Sequence, residues 1–240
     1  MAKSAGKPKR PEAPKSPGPP KSADPPKSTD PVGRILAAAM DVAVRMGWRR
    51  AALADIADTA GITLAELHGH FTDKGAILRG IVDLVDRKVL AGSSKAPDPE
   101  TSARDRLFDV LMRRFDALNP YREGLAVVAR EGGGIGISDA ICGAQRMLRS
   151  LTWMLEAAGI GSGGWAGACR VKGLAVVYGA TFATWLRDES EDMSKTMAAL
   201  DRNLGRAERF ANTFSFRRGG GKGDRESDRR DGGREAGASA

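Results

Sequence analysis

The sequence predicts an all-α fold, and three observations support this. Apolar residues recur every three or four positions through most of the chain, glycine or proline interrupts these runs, and no stretch alternates convincingly between apolar and polar residues. The outer parts of the 240-residue chain are different. Residues 1–30 form a Lys/Pro-rich tail with a degenerate repeat ("PKSPGPP", "PKSADPP", "PKSTDP"), and residues 217–240 mix glycine with charges of both signs. Both are expected to be disordered, which leaves residues 31–216 to fold.

Four short helices are expected in the first part of the folded region. Asp30 and Pro31 suit the N-cap and first position of a helix that Gly47 ends. A second helix spans about residues 53–60 and ends at Gly61. Thr63 starts a third helix, and Thr72 or Asp73 caps a fourth that extends past residue 85. Five more helices follow, over about residues 107–118, 121–130, 141–158, 171–185 and 193–214, the last with Ser190 as a candidate N-cap.

The stretch "AGITLAELHGHFTDKGAIL" (residues 60–78) indicates a helix-turn-helix. A glycine separates the second and third helices, and Thr63-x-x-Glu66 matches a capping box. Phe71 is expected to pack the third helix against the first, with His70 at the helix end in a structural role. In a helix-turn-helix the later helix enters the major groove of DNA.

"RILAAAMDVAVRMGWRRAALADIADTAGITLAELHGHFTDKGAIL" resembles the N-terminal domain of the TetR family of bacterial transcriptional regulators, through "DIA", "AGIT", "L-x-x-HF" and "K-x-x-IL". The resemblance implies a DNA-binding domain over residues 31–78 and a helical ligand-binding and dimerisation domain over residues 79–216. It further implies a cytoplasmic homodimer that binds double-stranded operator DNA and acts as a repressor. The candidate DNA-binding residues are Arg49, Arg50, Thr63, Leu64, Glu66, His68 and Lys74.

The surface formed by these candidate DNA-binding residues, the reading surface, has few positive charges. The formal net charge of the chain is +8, but the two tails hold +6 of it. Residues 60–78 carry a net charge of −1. Ala51 and Ala52 stand where the family commonly has Thr or Ser, and His68 where it commonly has Tyr. Lys74 resembles the family's phosphate-contacting lysine. The basic N-terminal tail could add attraction to phosphates, although a solubilising tail without a specific role explains it equally.

In this fold a set of aromatic and apolar side chains would surround a cavity for a small apolar ligand, with a filled core as the alternative for each of them. They are Phe108, Leu111, Phe115, Trp153, Tyr178, Phe182 and Trp185. A homodimer is expected through the last two helices, because small residues let helix backbones approach closely. The residues predicted at the interface are Ala175, Gly179, Ala183, Met197, Leu200 and Leu204.

Residues 171–204 are also similar to the lipid-binding accessory proteins of ubiquinone biosynthesis, through the aromatic helix that ends at Trp185, "DESED" and "T-x-x-x-L". Those proteins share the TetR-like fold and act without binding DNA, which gives an alternative function.

No constellation typical of catalysis or metal binding occurs, so no enzyme, cofactor or metal site is expected. Cys142 and Cys169 are expected to be buried thiols, and no apolar run reaches the ~20 residues of a membrane span.

Overall fold

The computed structural model of the protein describes residues 30–93, 100–132 and 137–219, with side chains described outside residues 137–141 and 212–219. Helices connected by turns make up this part of the chain, as predicted. The two predicted tails lie outside the described residues, except that Asp30 precedes the first helix and residues 217–219 belong to the last one. The helices are α1 Pro31–Met46, α2 Leu53–Ala60, α3 Leu64–His70, α4 Lys74–Ala91, α5 Ala103–Leu118, α6 Arg122–Arg130, α7 Ile137–Ala157, α8 Gly164–Trp185 and α9 Ser194–Gly219.

The helix starts follow local capping chemistry at most of the predicted places. The Asp30 carboxylate accepts from the Val32 amide at 3.0 Å, and proline occupies the first position of α1. Asp73, rather than Thr72, caps α4, because its carboxylate accepts from the Ala76 amide at 2.6 Å. These carboxylates accept bonds from amides that have no partner within the helix.

The prediction that Ser190 caps the last helix is wrong, because α9 begins at Ser194. Asp188 serves this helix start instead, since its carboxylate accepts from the Thr196 amide at 2.8 Å and from the Thr196 hydroxyl at 2.6 Å. Ser190 binds the same carboxylate from the loop side. Burial of Asp188 acts to raise its pKa, but the hydrogen bonds from Ser190 and Thr196 outweigh it and lower the pKa to about 2.

Helix α1 is the centre of the N-terminal part. Its buried face includes Ile35, Leu36 and Val42 and packs against α2, α4 and α6. Phe71 is buried as predicted, and its ring lies so close to Gly80 on α4 that a Cβ there would be 2.6 Å from the ring. The aromatic side chain after α3 therefore fixes the start of α4 against the domain.

Helix α4 joins this part to the larger one. The predicted domain boundary at residue 78 falls within α4, which continues without interruption to Ala91. The helix packs against α1 on one side and against α5 and α7 on the other. The C-terminal part is completed by α7 on α8, α5 on α9 and α8 on α9, and the buried apolar residues of both parts form one continuous cluster.

Two predictions about α7 and α8 need correction. Helix α8 begins at Gly164, seven residues before the first periodic residue, Val171. In these first turns Gly167 packs closely against the backbone of Ser162. The residues of this segment show no apolar periodicity, so the sequence did not reveal the helix start. Cys142 and Cys169 are exposed rather than buried, Cys169 because it lines an open cavity.

Across residues 30–93, 100–132 and 137–219, none of the helices combines the length and hydropathy that crossing a membrane requires.

Candidate DNA interface and ligand site

Helices α2 and α3 form a helix-turn-helix whose turn is set by local geometry. Gly61 ends α2 with φ +67°, in the left-handed region that glycine adopts without steric cost. The Thr63 hydroxyl accepts from the Glu66 amide at 3.2 Å, while Glu66 Oε2 accepts from the Thr63 amide at 2.7 Å. The predicted capping box is therefore present, and it determines where α3 starts.

The capping box also occupies two of the predicted DNA-contacting residues. The Thr63 hydroxyl donates its proton to Glu66 Oε2 at 2.9 Å. The hydrogen bonds from the Thr63 amide and hydroxyl lower the pKa of Glu66, so this carboxylate is ionised at neutral pH. Glu66 therefore presents negative charge on the outer surface of α3, where a phosphate would be repelled.

The outward face of α3 is otherwise small or weakly polar. Leu67 is buried against the domain, whereas Leu64 is 54% exposed and His68 and Gly69 are exposed. Leu64 and His68 lie four positions apart and therefore share one helix face. These two side chains and the backbone at Gly69 lie together on the exposed surface of α3. His70 is exposed at the end of the helix.

The Lys74 ammonium, a predicted phosphate contact, is engaged with backbone carbonyls in this structure. Its Nζ donates to the carbonyl oxygens of Trp48 at 2.7 Å and of Ala51 at 2.9 Å. It also lies 5.1 Å from the centre of the buried Trp48 ring, a cation–π geometry. Burial lowers the pKa of Lys74, and the nearby Glu131 carboxylate opposes this. Lys74 thus holds the α1–α2 turn.

Glu131, which the sequence analysis did not single out, holds the same turn from the end of α6. Its carboxylate accepts from the Arg49 amide at 2.7 Å. Gly47 has φ +87°, and a Cβ at this position would lie 2.6 Å from Glu131 Oε1. No sequence signal identified Glu131, because the contact joins residues 82 positions apart. The turn that displays Arg49 and Arg50 is therefore fixed by side chains from α4 and α6.

Arg49 and Arg50 are exposed, as expected of residues that meet flanking phosphates. They belong to a domain without excess charge, because residues 31–78 contain five Lys or Arg and five Asp or Glu. One of the five cations is Lys74, whose ammonium is engaged with backbone carbonyls. The positive charge available on the reading surface therefore comes chiefly from the two arginines.

Of the two alternatives for the aromatic residues, a cavity lining or a filled core, their packing favours a filled core. Phe115 and Tyr178 stack with ring centres 5.4 Å apart, and Phe115 and Trp185 lie 5.9 Å apart. These three side chains and Leu111 are buried, while Phe108 and Phe182 pack against them from the edge. Trp153 is 53% exposed and lies outside this cluster, since its position on α7 faces outward.

A charged side chain lies within this core. Arg114 is completely buried and donates through Nε to the Tyr178 hydroxyl at 3.2 Å and through a terminal nitrogen to Asp86 of α4. Ser150 of α7 also donates to Asp86, at 2.8 Å. Although burial acts against the charge, Tyr178 and Asp86 together raise the pKa of Arg114. Hydrogen bonds among these buried side chains therefore connect α4 with α5, α7 and α8.

A groove lies elsewhere in the C-terminal part. A partly open cavity of about 810 Å³ runs between the start of α5, the end of α7, the first half of α8 and α9. None of the seven predicted pocket residues lines this cavity. Its apolar lining consists mainly of Leu107, Leu155, Ile160, Leu174, Val177 and Leu204. We call this cavity the α5–α9 groove.

The predicted dimer residues divide into two groups. Leu200 and Leu204 are buried within the protomer, because the apolar stripe of α9 packs against α8 and α5. They are not available to a partner, and their assignment to an interface is wrong. Ala175 and Met197 are partly buried, whereas Gly179 and Ala183 are exposed on α8. A small-residue face of α8 is thus open on the protomer surface.

No group of three or more His, Cys, Asp or Glu side chains that could hold a metal ion occurs among the residues that the structure describes.

Comparison with protein families finds similarity in two parts of the chain. The family model of the bacterial regulatory proteins, tetR family, matches residues 35–81, which cover most of α1, all of α2 and α3, and the first half of α4. A second family model, COQ9, matches residues 170–211 in α8 and α9. Both similarities noted in the sequence are thereby confirmed.

Solved structures extend this similarity beyond the N-terminal domain. A TetR transcriptional regulator from Nitrosomonas europaea is 27% identical with a TM-score of 0.62, over 75% of this chain and 99% of that chain. A TetR transcriptional regulator from a Rhodococcus species shares the fold at 19% identity and a TM-score of 0.54, over 74% of this chain and 94% of that one. The chain therefore has the N-terminal domain and the overall fold of TetR-family transcriptional regulators.

Proposed function

We propose that the protein is a one-component transcriptional regulator that binds operator DNA as a homodimer and responds to a small apolar ligand in its C-terminal part. The observation that carries the proposal is the helix-turn-helix itself. Its capping box and glycine turn present the Leu64 and His68 face of α3 to solvent, on a fold that matches TetR regulators over nearly their full length. A repressor is the simplest form, in which ligand binding releases the DNA.

Two kinds of DNA contact follow from the exposed residues. Arg49 and Arg50 bind phosphates beside the groove, while Leu64 packs on a thymine methyl and His68 hydrogen-bonds a base edge. Thr63 and Glu66 act mainly by holding the start of α3, although Glu66 Oε1 remains able to accept from a cytosine amino group. Lys74 acts through the α1–α2 turn.

The proposal predicts DNA binding with a shallow dependence on salt. Two phosphate-binding arginines on each protomer make about four phosphate contacts per dimer. At about −0.9 for each contact, the logarithm of the binding constant should change with the logarithm of the salt concentration with a slope of roughly −3.6. The net charge of zero over residues 31–78 is consistent with this small slope. The dimer forms through the exposed face of α8 around Gly179 and Ala183.

The regulator is favoured over a lipid-binding accessory protein because of where the two family models match. The COQ9 match is confined to residues 170–211, whereas the tetR match covers the helix-turn-helix.

Binding of fluorescent DNA fragments tests the proposal. The fragments flanking the protein's own gene should bind more tightly than random DNA at low salt. Replacing both Arg49 and Arg50 with alanine should weaken binding to all sequences alike and reduce the salt slope by about two per protomer. His68→Ala should instead change the ranking among sequences. Arg206→Ala, an exposed arginine on α9, is the control and should change neither property. Equal affinity for flanking and random DNA would contradict the proposal.

A further inference from the structure

We propose that the α5–α9 groove is a binding site for a neutral, elongated apolar molecule. Only the regulatory role of this site rests on the proposed function, because ligand binding itself depends on the groove alone. The inference replaces the predicted cavity among the aromatic side chains, which the structure shows to be filled.

The shape and lining of the groove indicate the class of ligand. Its volume of about 810 Å³ lies in the range that encloses drug-sized molecules. Buried side chains from four helices form its walls, among them Leu107, Leu155 and Leu204. Trp165 and Phe210 also line it and are 66% and 70% exposed, so aromatic surface extends to its outer edge. An apolar chain bound here would be removed from water along much of its length.

The charged residues at the groove indicate that the ligand is neutral. Arg104 Nη2 lies 2.6 Å from Asp201 Oδ1 in an ion pair, and Arg104 Nε lies 4.0 Å from Glu208 Oε2. Arg170 donates to the Gly161 carbonyl at 2.8 Å. The lining itself holds Arg104, Arg170 and Glu208, Asp201 lies beside it, and each arginine already has a partner within the protein. A carboxylate or ammonium group on the ligand would have to compete with these contacts.

The ends of the chain are unsuited to fill the groove. Residues 220–240 contain no side chain more apolar than alanine, and residues 1–29 contain only Met1 besides alanine and proline. Neither segment offers the leucine or aromatic side chains that would match a groove walled by leucine, isoleucine and valine. A separate small molecule is therefore the occupant that the lining selects.

Two glycines, one on α8 and one on α7, provide a matched pair of variants. Gly173 lines the groove, and a Cβ added there meets nothing within 4 Å. Gly143 of α7 also has nothing within 4 Å of an added Cβ, but it lies outside the groove and outside the proposed dimer face. Leucine at position 173 therefore extends into ligand space, whereas leucine at position 143 makes the same change on another helix. Both changes favour helix formation.

The experiment measures binding of N-phenyl-1-naphthylamine, a neutral apolar dye that fluoresces when it leaves water, to the full chain without DNA. We expect saturable binding to the unmodified protein, binding weakened roughly tenfold or more by Gly173→Leu, and unchanged binding with Gly143→Leu. Ala166→Leu, at a second exposed position of the groove lining, should weaken binding in the same direction. Decanol should displace the dye better than decanoate or decyltrimethylammonium.

Dye binding that is unaffected by both Gly173→Leu and Ala166→Leu would overturn the proposal. If sedimentation shows that Gly173→Leu dissociates a dimer while dye binding persists, the groove is an interface between copies, and the proposal is also wrong. Displacement by a charged amphiphile in preference to decanol would refute a neutral ligand. Failure to prefer any DNA fragment would refute the proposed function and leave this site unaffected, because the dye assay contains no DNA.

Discussion

Replacing Lys74 with methionine separates a structural role for this residue from a direct role in DNA binding. The Lys74 ammonium donates to the carbonyl oxygens of Trp48 and Ala51 at 2.7 and 2.9 Å. Hydrogen bonds to a charged group contribute about 1.5–3 kcal/mol each, and methionine retains the apolar stem beside the Trp48 ring. Because the two bonds share one ammonium and are partly solvated, we expect the free energy of unfolding to fall by about 2–4 kcal/mol.

The assay is urea denaturation of the unmodified protein and of the variant at neutral pH, followed by DNA binding over a range of salt concentrations. The denaturation midpoint should fall while the slope of unfolding free energy against urea stays constant. Arg50→Met is the matched control, since Arg50 is exposed, and it should lower the salt slope without changing stability. Stability of Lys74→Met within about 0.5 kcal/mol of the unmodified protein, together with a salt slope reduced by about one per protomer, would refute the structural role and restore Lys74 as a phosphate contact.

Two further predictions concern stability. Asp188→Asn should lower the free energy of unfolding by about 2 kcal/mol at pH 7, because the native pKa of about 2 lies below the ordinary aspartate value of 3.8. Because the native pKa is depressed, the ionised Asp188 stabilises the fold fully above about pH 4, and this stabilisation is lost as the pH falls toward 2. If the urea midpoints of the unmodified protein and the variant differ equally at pH 7 and pH 2.5, the role of Asp188 is refuted. Gly124→Ala should destabilise the protein by about 1–3 kcal/mol, because the added Cβ would lie 2.6 Å from Met40 Cβ and 2.8 Å from Met40 Cα across the α1–α6 contact. Gly143→Ala is the control, because the added Cβ meets nothing within 4 Å, and it should be neutral or stabilising by up to about 1 kcal/mol. Equal thermal midpoints for Gly124→Ala and Gly143→Ala would contradict the close packing of α6 on α1.

The features that the sequence predicted correctly depend on neighbouring residues. Thr63 and Glu66 form the expected capping box because both partners lie within one helical turn. Asp30 caps α1 for the same reason. The positions of the helices follow from apolar periodicity, which reflects burial on one side of each helix.

The features that it missed depend on which faces meet in space. Periodicity placed Leu200 and Leu204 on an apolar stripe, but it could not say whether α5 and α8 of the same protomer or a second protomer covers that stripe. Most of the aromatic residues lie in the interior, with Trp153 exposed, and whether they surround a cavity or fill a core depends on ring stacking between α5 and α8. Glu131 was missed because it meets the Arg49 amide only after α6 has packed on α1.

The contact between Glu131 and the Arg49 amide has a consequence for exchanging parts between regulators. A fragment ending at residue 78 retains Lys74 but loses Glu131, so the backbone that carries Arg49 and Arg50 would be secured on one side only. Transplanting this helix-turn-helix onto the body of another regulator would therefore require an acidic residue at the matching end of the recipient's sixth helix. Gly47 would have to be transplanted with it, because any side chain there would occupy the space of the Glu131 carboxylate.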